Sequence, residues 1–243
     1  MIGEFDAIIM AGGKGTRLLP YTAALPKPLV PLGNAPVLEL ILRQLQGYGF
    51  RHVCLAVNHL HHLIEAYFGA GESIGLRVEY AVEDEPLGTC GPVSRVLDRM
   101  ADDFLLMNGD LVTDLDLAAL RRQHLAQGPA ATVSALQRTS QLGFGVLDVD
   151  TRGRVMQVRE KPVTEHLMSM GIYLLKREAV RPFLEPGRAM DMPDLLTAMV
   201  SAGAAVDTYV ATCNWLDIGT PEDYAQAQNF AVGRLDRLLP GRQ

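Results

Sequence analysis

Hydrophobic and polar residues follow two different periods along the first half of the chain. Short runs that are mostly apolar predict buried strands at 7–10, His52–Val57, 77–81 and 104–107. Between these runs the apolar residues recur every three or four positions, which predicts helices at 36–48, 60–68, 92–100 and 115–127. In the last of these helices we expect Leu117, Leu120 and Leu125 to face inward.

The second half has shorter strand patterns joined by tight turns, so a more antiparallel, mixed arrangement is expected there. The predicted strands are 131–136, 145–149, Val155–Arg159, 170–175 and Val206–Ala211. Helices are predicted at 177–183 and 192–202, and a last helix begins at Pro221 after a turn at 215–219.

Strands that alternate with helices predict an α/β fold with a Rossmann-like, mostly parallel mixed sheet and helices on both faces. No linker rich in proline or serine divides the chain, so we expect one domain over residues 1–243 with halves of 1–130 and 131–235. Residues 235–243 are expected to fray. Ligands of such sheets bind outside the carboxyl ends of the strands, and residues that follow the predicted strands are therefore the first candidates for a site.

Composition narrows the classes of partner. Of the 243 residues, 48% are hydrophobic, and the formal net charge of −6 argues against nucleic acid or an anionic membrane as the main partner. The three cysteines are odd in number and widely spaced, which is typical of reduced thiols in a cytoplasmic protein. Neither a signal peptide nor a membrane span is expected, since no apolar run reaches about 18 residues.

A glycine-rich segment, Ala11-Gly12-Gly13-Lys14-Gly15-Thr16-Arg17, follows the first predicted strand directly. Glycines let backbone N–H groups surround a phosphate, and Arg17 and Lys27 could neutralise its charge. Pro26 and Pro28 fix the backbone on either side of Lys27. The spacing fits neither the dinucleotide fingerprint nor the P-loop, so a purely structural strand-to-helix turn stays open as the alternative.

Carboxylates follow two further strand patterns. Asn108-Gly109-Asp110 comes directly after the strand 104–107, and Asp217 lies in the turn 215–219. Asparagine–glycine is also a common turn dipeptide, which is the structural alternative. Because Mg²⁺ takes one or two carboxylates together with substrate phosphates, Asp110 and Asp217 are the candidate ligands.

Three further charged segments are weaker signals by themselves. Glu160-Lys161-Pro162 closes a predicted strand, and such a pair is most often an exposed one. Glu83 and Asp84 are interpreted as part of an acidic, solvated loop. The histidines His59, His61 and His62 do not share one helical face, so they are interpreted as surface residues and not as a metal site.

Six motifs, taken in order, resemble those of the sugar-1-phosphate nucleotidyltransferases, also called nucleotide-sugar pyrophosphorylases. They are Ala11-Gly12-Gly13-Lys14-Gly15-Thr16-Arg17, Pro26-Lys27-Pro28-Leu29, Glu85-Pro86-Leu87-Gly88-Thr89, Asn108-Gly109-Asp110, Glu160-Lys161-Pro162 and Trp215-Leu216-Asp217-Ile218-Gly219. The segment 83–92 most resembles the mannose-1-phosphate guanylyltransferases and the short heptose-1-phosphate guanylyltransferases. The C-terminal left-handed β-helix of many relatives is not expected here.

The resemblance implies a reaction in which a sugar 1-phosphate attacks the α-phosphorus of an NTP in line, giving an NDP-sugar and pyrophosphate. Its implied catalytic residues are Arg17, Lys27 and Lys161, and Mg²⁺ is the implied cofactor on Asp110 and Asp217. The implied nucleotide-binding residues are Ala11, Gly12, Gly13, Gly15, Thr16, Glu85, Gly88, Asn108 and Gly109. The implied sugar-binding residues are Gly145, Glu160, Ser169 and Gly171. The half 1–130 is then the nucleotide half, and 131–235 holds the sugar phosphate.

One segment departs from the family pattern. Relatives usually carry Asn-Ala-Gly where this chain has Ser169-Met170-Gly171, and a serine hydroxyl is shorter than an asparagine amide. The acceptor therefore stays open between mannose, heptose and a modified sugar or cyclitol phosphate. GTP is the favoured donor, with UTP, dTTP and CTP as alternatives. A non-catalytic nucleotide-sugar sensor of the same fold and a nicotinamide-dependent dehydrogenase are the competing classes, and a homo-oligomer is a further open expectation.

Overall fold

The protein is described by a computed structural model over residues 6–83 and 85–232. Strands occupy most of the segments that the hydrophobic pattern predicts. Those in the described residues are β1 (Asp6–Met10), β2 (Pro31–Leu32), β3 (Ala35–Pro36), β4 (His52–Val57), β5 (Arg77–Val82), β6 (Asp103–Asn108), β7 (Leu111–Thr113), β8 (Ala131–Gln141), β9 (Val146–Val149), β10 (Val155–Arg159), β11 (Val163–Lys176), β12 (Val206–Ala211) and β13 (Trp215–Asp217).

The helices also follow the predicted order. They are α1 (Val37–Gly47), α2 (His61–Phe68), α3 (Val93–Val96), α4 (Leu117–Gln127), α5 (Arg177–Val180), α6 (Met192–Ser201) and α7 (Pro221–Ala231). Short 3₁₀ turns continue α3 and α5, so each of those two predicted helices is only partly α-helical. None of the helices in the described ranges is long and apolar enough to cross a membrane.

Seven strands form one twisted sheet in the order β12-β8-β11-β6-β1-β4-β5. Strands β6, β1, β4 and β5 pair in parallel, as do β12 and β8. Only β11 runs against its neighbours β6 and β8. This arrangement confirms the prediction of a mostly parallel mixed sheet, and its carboxyl edge collects the ends of β1, β4, β5 and β6.

Two hydrophobic cores cover the two faces of the sheet. On β1, Ala7 and Ile9 belong to one core and Ile8 to the other, because successive side chains of a strand point to opposite faces. Helices α1, α2, α4 and α7 pack on the first face, and α3, α5 and α6 pack on the second. Helices therefore lie on both faces, as predicted.

Helix α4 corrects one predicted core position. Leu117 and Leu120 are buried, but Leu125 is 52% exposed, and its neighbour His124 is buried instead. His124 lies seven residues after Leu117, on the same helical face, whereas Leu125 lies about 100° further round the helix. The imidazole is buried because both ring nitrogens have partners, Thr132 Oγ1 at 2.8 Å and Asp103 Oδ1 at 3.1 Å.

The second half departs most from the sequence pattern. Strands β8 and β11 run well past the predicted limits, and their far ends carry the hairpin β9–β10, so that residues 137–168 form an exposed arm. Many apolar side chains of this arm face solvent, among them Phe144 with 83% exposure. The predicted turn at 215–219 begins with a short strand, β13, which pairs with β7.

Candidate active site

The glycine-rich segment and Asn108-Gly109-Asp110 start from adjacent strand ends. Ala11 N–H donates to Ala56 O at 2.8 Å, so the chain leaves β1 still attached to β4. Gly109 N–H donates to Met10 O at 2.9 Å, and a Cβ on Gly109 would lie only 2.8 Å from that oxygen. The parallel pairing of β1 with β6 therefore sets the two loops side by side.

Gly15 holds the glycine loop against the segment that carries Lys27. Its φ is +64°, in the left-handed region that favours glycine, and its carbonyl accepts a 2.8 Å hydrogen bond from Thr22 Oγ1. A Cβ on Gly15 would lie 2.9 Å from Thr22 Cγ2 and 3.1 Å from Lys27 Cβ. Gly13, by contrast, faces open space, with no atom within 4 Å of an added Cβ.

Lys27 forms an ion pair with Asp110 across 83 residues of sequence. The lysine begins a 3₁₀ turn between Pro26 and Pro28, and Leu29 at the end of that turn is buried in the core. The backbone on both sides of Lys27 is thus held by proline rings and by packing. Its ammonium group reaches the carboxyl edge of the sheet beside the glycine loop.

Asp110 and Asp217 are brought together by the pairing of β7 with β13. Ile218 N–H donates to Asp110 O at 3.0 Å, and Asp217 lies opposite Leu111. Desolvation raises the pKa of the Asp217 carboxyl, the negative charge of Asp110 raises it further, and Lys27 and Arg17 oppose the rise. Two carboxylates whose charges repel one another are oxygen donors that a hard divalent cation would stabilise, so the pair fits Mg²⁺.

Arg17 lies on the other side of the same opening. Its guanidinium carbon is 3.9 Å from the position that a Cβ on Gly219 would take, and it has no ion-pair partner among residues 6–83 and 85–232. The opening is a cavity of about 230 Å³. It is lined by backbone and side chains of Met10, Ala11, Gly13, Gly15, Thr16, Arg17, Lys27, Pro28, Gly109, Asp110 and Gly219.

A second cavity of about 310 Å³ adjoins the first, and Met10, Gly13 and Asp110 line both. The remaining lining residues of this second cavity are Gly12, Asn58, Glu83, Pro86, Leu87, Gly88, Thr89 and Asn108. One cavity is lined by cationic side chains and loop backbone, and the other by mostly uncharged groups. The two cavities therefore lie side by side, one with cationic side chains and the other with mostly uncharged lining groups.

Glu83 corrects the prediction of an exposed acidic loop. The residue is only 7% exposed, and burial raises the pKa of its carboxyl group. Glu83 Oε1 accepts a 2.9 Å hydrogen bond from Leu87 N–H, and Oε2 lies 3.1 Å from the position of a Cβ on Gly12. Asp84 lies outside the described residues. Glu85 is exposed and does not line the second cavity, whereas Glu83 does.

The residues expected near the sugar fall into two groups. Gly171 has a φ of +71° in an irregular part of β11, and a Cβ there would lie 2.6 Å from Asn108 Nδ2. Ser169 Oγ lies 3.0 Å from the Tyr173 hydroxyl and accepts from Gly171 N–H at 3.4 Å. These residues therefore lie next to the second cavity.

The second group lies on the arm. A Cβ on Gly145 would lie 3.1 Å from Glu160 Oε2, so these two residues are neighbours. Lys161 is exposed and has a φ of +43°. In the part of the chain that the structure describes, no hydrogen bond or ion pair joins the Lys161 side chain to either cavity. The structure thus groups Gly145, Glu160 and Lys161 with one another and not with the cavities.

Several residues at the site carried no strong sequence signal. Asn58 follows β4 as Gly12 follows β1, so its position after a parallel strand was the available hint. Trp215 donates its indole N–H to Met170 O at 2.9 Å and thereby ties β13 to the Ser169–Gly171 segment. Trp215 also borders a separate cavity of about 550 Å³ beside β8, β12 and α7.

The histidines 59, 61 and 62 lie at the start of α2 with His59 and His62 exposed, as predicted.

A parallel sheet with a glycine loop, two basic side chains and two neighbouring carboxylates at its carboxyl edge is typical of α/β proteins that bind phosphate groups. A family model described as "Nucleotidyl transferase" matches residues 6–233. The chain belongs to this nucleotidyl transferase family.

Curated relatives differ in the nucleotide and sugar that their names state. The chain is 32% identical over 229 residues to the mannose-1-phosphate guanylyltransferase of Mycobacterium tuberculosis, with 92% of this chain and 63% of the relative covered. It is 31% identical to the UTP–glucose-1-phosphate uridylyltransferase of Synechocystis, with 94% and 63% covered. It is also 31% identical to the D-glycero-alpha-D-manno-heptose 1-phosphate guanylyltransferase of Campylobacter jejuni, with 90% and 96% covered. The chain thus spans under two thirds of the first two relatives.

Solved structures show the same fold. HddC from Yersinia pseudotuberculosis superposes with a TM-score of 0.73 and 25% identity, and the match covers 93% of this chain and 99% of HddC. The same protein has been solved in complex with GMP-PN, again with a TM-score of 0.73 and at 24% identity. These likenesses confirm the predicted fold class.

Proposed function

We propose that the protein transfers a nucleotidyl group from an NTP, with GTP favoured, to a sugar 1-phosphate, releasing pyrophosphate. The observation that carries the proposal is the adjacency of the two cavities, whose linings share Met10, Gly13 and Asp110. A triphosphate fits the cationic cavity, and a nucleobase with its ribose fits the polar one. The α-phosphorus would then lie between them, near the Lys27–Asp110 pair.

Arg17 and Lys27 have roles that their surroundings support. Arg17, which is free of ion-pair partners within the described ranges, would hold the β- and γ-phosphates and the leaving pyrophosphate. Lys27 would stabilise the charge that develops between the α-phosphate and the attacking sugar phosphate. The sugar phosphate is already an anion, so the reaction depends on positioning and charge neutralisation, without a strong general base. Lys161 would grip the sugar phosphate, which requires the arm to approach the site.

Asp110 and Asp217 would hold Mg²⁺, and the bound ion would neutralise phosphate charge during the transfer. Burial and, after it, the negative charge of Asp110 raise the pKa of Asp217, and a bound cation would relieve the repulsion between the two carboxylates. Backbone N–H groups from Gly12 to Thr16 would donate to the phosphates without competing for the metal, and Ala11, whose N–H is bonded to Ala56 O, would line the nucleotide site without donating.

The preference for GTP rests on Glu83. Guanine presents two donors side by side, N1–H and the 2-amino group, which a carboxylate can accept together. Uracil and thymine present one N–H between two carbonyl oxygens, and those oxygens would face the negative charge of Glu83. The guanylyl transfer named for two of the relatives agrees with this preference, whereas the uridylyl transfer named for the third keeps UTP as the alternative.

The acceptor is a sugar 1-phosphate whose identity depends on the segment 169–171. Ser169 is bonded to the Tyr173 hydroxyl and leaves more room than an asparagine amide would. A heptose 1-phosphate or a modified sugar or cyclitol phosphate is therefore favoured over mannose 1-phosphate. The heptose-specific relative, of which the alignment covers 96%, supports the same choice.

The decisive experiment is a matrix of the four NTPs against several sugar 1-phosphates, with Mg²⁺, in which pyrophosphate release is measured. We expect the highest kcat/KM with GTP, at least about tenfold above UTP, the equivalent of ~1.4 kcal/mol. Nucleotide binding without pyrophosphate release in every cell of the matrix would indicate the non-catalytic sensor instead. The presence of Arg17, Lys27, Lys161, Asp110 and Asp217 favours the enzyme.

Three broader expectations belong to the same proposal. The chain would act as one domain, with a nucleotide half at 1–130 and an acceptor half at 131–235. The cysteines Cys54, Cys90 and Cys213 are all free thiols, which supports a cytoplasmic location. A homo-oligomer is compatible with the exposed apolar side chains of the arm.

A further inference from the structure

Two segments from opposite halves of the chain interlock beside the base cavity. Met190 N–H donates to Leu87 O at 2.9 Å, and Met190 O accepts from the N–H groups of Cys90 at 3.0 Å and Gly91 at 3.1 Å. Leu87, Gly88 and Thr89 line the cavity, whereas Met190 precedes helix α6. One wall of the cavity is therefore attached to the helix that begins at Met192.

The strongest contacts between the segments join Thr89 to Asp191. Asp191 Oδ1 accepts from Thr89 N–H at 2.8 Å and from Thr89 Oγ1 at 3.2 Å. Thr89 Oγ1 in turn accepts from Met192 N–H, the first helical residue of α6, at 2.8 Å. Thr89 donates both of its bonds to the Asp191 carboxylate, and the return bond to Thr89 comes from Met192, so the arrangement resembles a capping box built across 102 residues of sequence. We call this arrangement the cross-segment cap.

Asp191 occupies the N-cap position of α6 but does not cap its own helix. An aspartate at this position ordinarily accepts a hydrogen bond from an N–H group in the first turn of the helix. Here the carboxylate makes no such bond, and it is directed to Thr89 instead. The helix obtains its capping oxygen from Thr89, so the stability of the helix end and the position of the cavity wall depend on the same contact.

Glycines make the close approach of the two segments possible. Gly88 has a φ of +79°, and a Cβ there would lie 2.6 Å from Met190 O and 2.8 Å from Asp191 Oδ1. A Cβ on Gly91 would lie 2.1 Å from Leu87 O and 3.0 Å from Arg188 O. Side chains are therefore excluded at the two positions where the wall approaches the segment before α6.

We propose that Asp191 is a positioning residue for the nucleotide, acting through Thr89 to hold the wall of the base cavity. The inference rests on the proposed function, since it assigns the base to that cavity. Glu83 holds the same wall from the other side through Leu87 N–H. A wall fixed at both ends loses little conformational entropy when the nucleotide binds, whereas a released wall must be ordered at the cost of affinity.

The test compares four variants with the wild type, using the NTP that the wild type turns over best. Asp191→Ala removes both hydrogen bonds to Thr89, and we expect KM for the NTP to rise about tenfold while kcat changes less than about threefold. Asp191→Asn keeps an oxygen acceptor at Oδ1 and is expected to stay within about threefold of wild-type KM. Thr89→Val should raise KM as Asp191→Ala does, and Thr89→Ser should restore it.

Asp194→Ala is the matched control. Asp194 lies in the first turn of the same helix, is exposed and makes no hydrogen bond or ion pair in the described ranges, so its loss should leave KM unchanged. Hydrogen exchange of the amides 87–91 should also accelerate in Asp191→Ala and not in Asp194→Ala. Thermal unfolding of each variant identifies any general loss of folding.

The outcomes separate the two proposals. Pyrophosphate release by the wild type, together with equal KM values in Asp191→Ala and Asp194→Ala, overturns the positioning role and leaves the proposed function standing. A fall in kcat and Tm without any rise in KM also overturns it, because that result describes a structural residue. If the wild type releases no pyrophosphate with any NTP and sugar 1-phosphate, the proposed function is overturned, and the positioning role is overturned with it.

Discussion

Lys27 and Asp110 form an ion pair that joins the segment after the glycine loop to the end of strand β6. The pair stands where the phosphate cavity meets the base cavity, since Asp110 lines both. Lys27 thereby places a fixed positive charge beside a carboxylate that is also a candidate metal ligand. This single contact links the proposed charge neutralisation to the proposed metal site.

We expect Lys27→Ala to lower kcat by at least about two orders of magnitude, the scale of losing one preorganised charge contact in a transition state. Pyrophosphate release with GTP and the best acceptor measures the effect. Lys176→Ala is the control, because Lys176 lies opposite Asp103 at the end of β6 that is away from the site, and its ammonium donates to Gly128 O at 3.2 Å. Turnover near the wild-type rate in Lys27→Ala would exclude the role assigned to this lysine.

The proposed metal pair can be tested without a structure of the complex. Asp217→Asn should raise the Mg²⁺ concentration needed for half-maximal activity by at least about tenfold, since one charged ligand is lost. Removal of divalent cations with EDTA should abolish turnover in the wild type, and added Mg²⁺ should restore it. Asp207→Asn, on strand β12, serves as the control. An unchanged Mg²⁺ titration in Asp217→Asn would contradict the assignment.

Glu83→Gln tests the choice of base. Glutamine keeps an oxygen for the Leu87 N–H bond, so the cavity wall should stay in place while the negative charge is removed. We expect kcat/KM for GTP to fall by about tenfold or more, and that for UTP to change little, so that discrimination narrows. Equal losses of kcat/KM with GTP and UTP would show that Glu83 holds the cavity wall but does not discriminate between the bases. Asn58 Nδ2 donates to the Glu83 backbone carbonyl, which the substitution leaves in place.

Gly171→Ala separates backbone strain from a local clash. Gly171 and Gly203 both have positive φ, +71° and +82°, but only at Gly171 would a Cβ meet a neighbour, Asn108 Nδ2 at 2.6 Å. Both alanine variants should lose about 2–8 °C in Tm, from the cost of a left-handed alanine. Only Gly171→Ala should also raise KM, because Asn108 must move from the cavity lining. Equal kinetic parameters in the two variants would refute this role for the close contact.

The stability of the sheet edge far from the site should depend on pH through His52. The hydrogen bond with Asp6 raises the pKa of His52, desolvation opposes the rise, and Glu79 adds to it while Arg77 reduces it. A raised folded-state pKa means that the folded protein binds this proton more tightly than the unfolded chain does. The stabilisation is therefore fully present below about pH 6.5, the unfolded-state value, and is lost as the pH rises through the folded-state pKa.

His52→Gln measures that contribution. The difference in Tm between the wild type and this variant should be larger at about pH 5.5 than at about pH 8.5. His59→Gln, which changes an exposed histidine without an ion-pair partner in the described part of the chain, should show no such difference. If the Tm difference between the wild type and His52→Gln instead grows as the pH rises, the prediction is wrong.

Local patterns predicted most of the fold because they reflect local physics. The apolar runs of β1, β4 and β6 are buried on both faces, so they read as strands in the sequence alone. The loops that follow parallel strands could be assigned to one edge of the sheet by topology, which is why Gly12, Asn108 and Asp110 were found as candidates. Leu125 was wrongly predicted to face inward. It lies one residue after the buried His124, which turns its side chain about 100° away from the buried face.

What the sequence by itself determined is the α/β order of elements, the glycine loop, and the set of charged residues typical of nucleotidyl transfer. Tertiary structure alone decided which of them meet. The pairing of β7 with β13 sets Asp217 beside Asp110, and the approach of 188–192 to 87–91 sets Asp191 against Thr89, which lines the base cavity. Burial of Glu83 likewise depends on neighbours from other strands. Contacts between residues about 100 positions apart depend on how whole elements pack, and no local pattern of polarity records them.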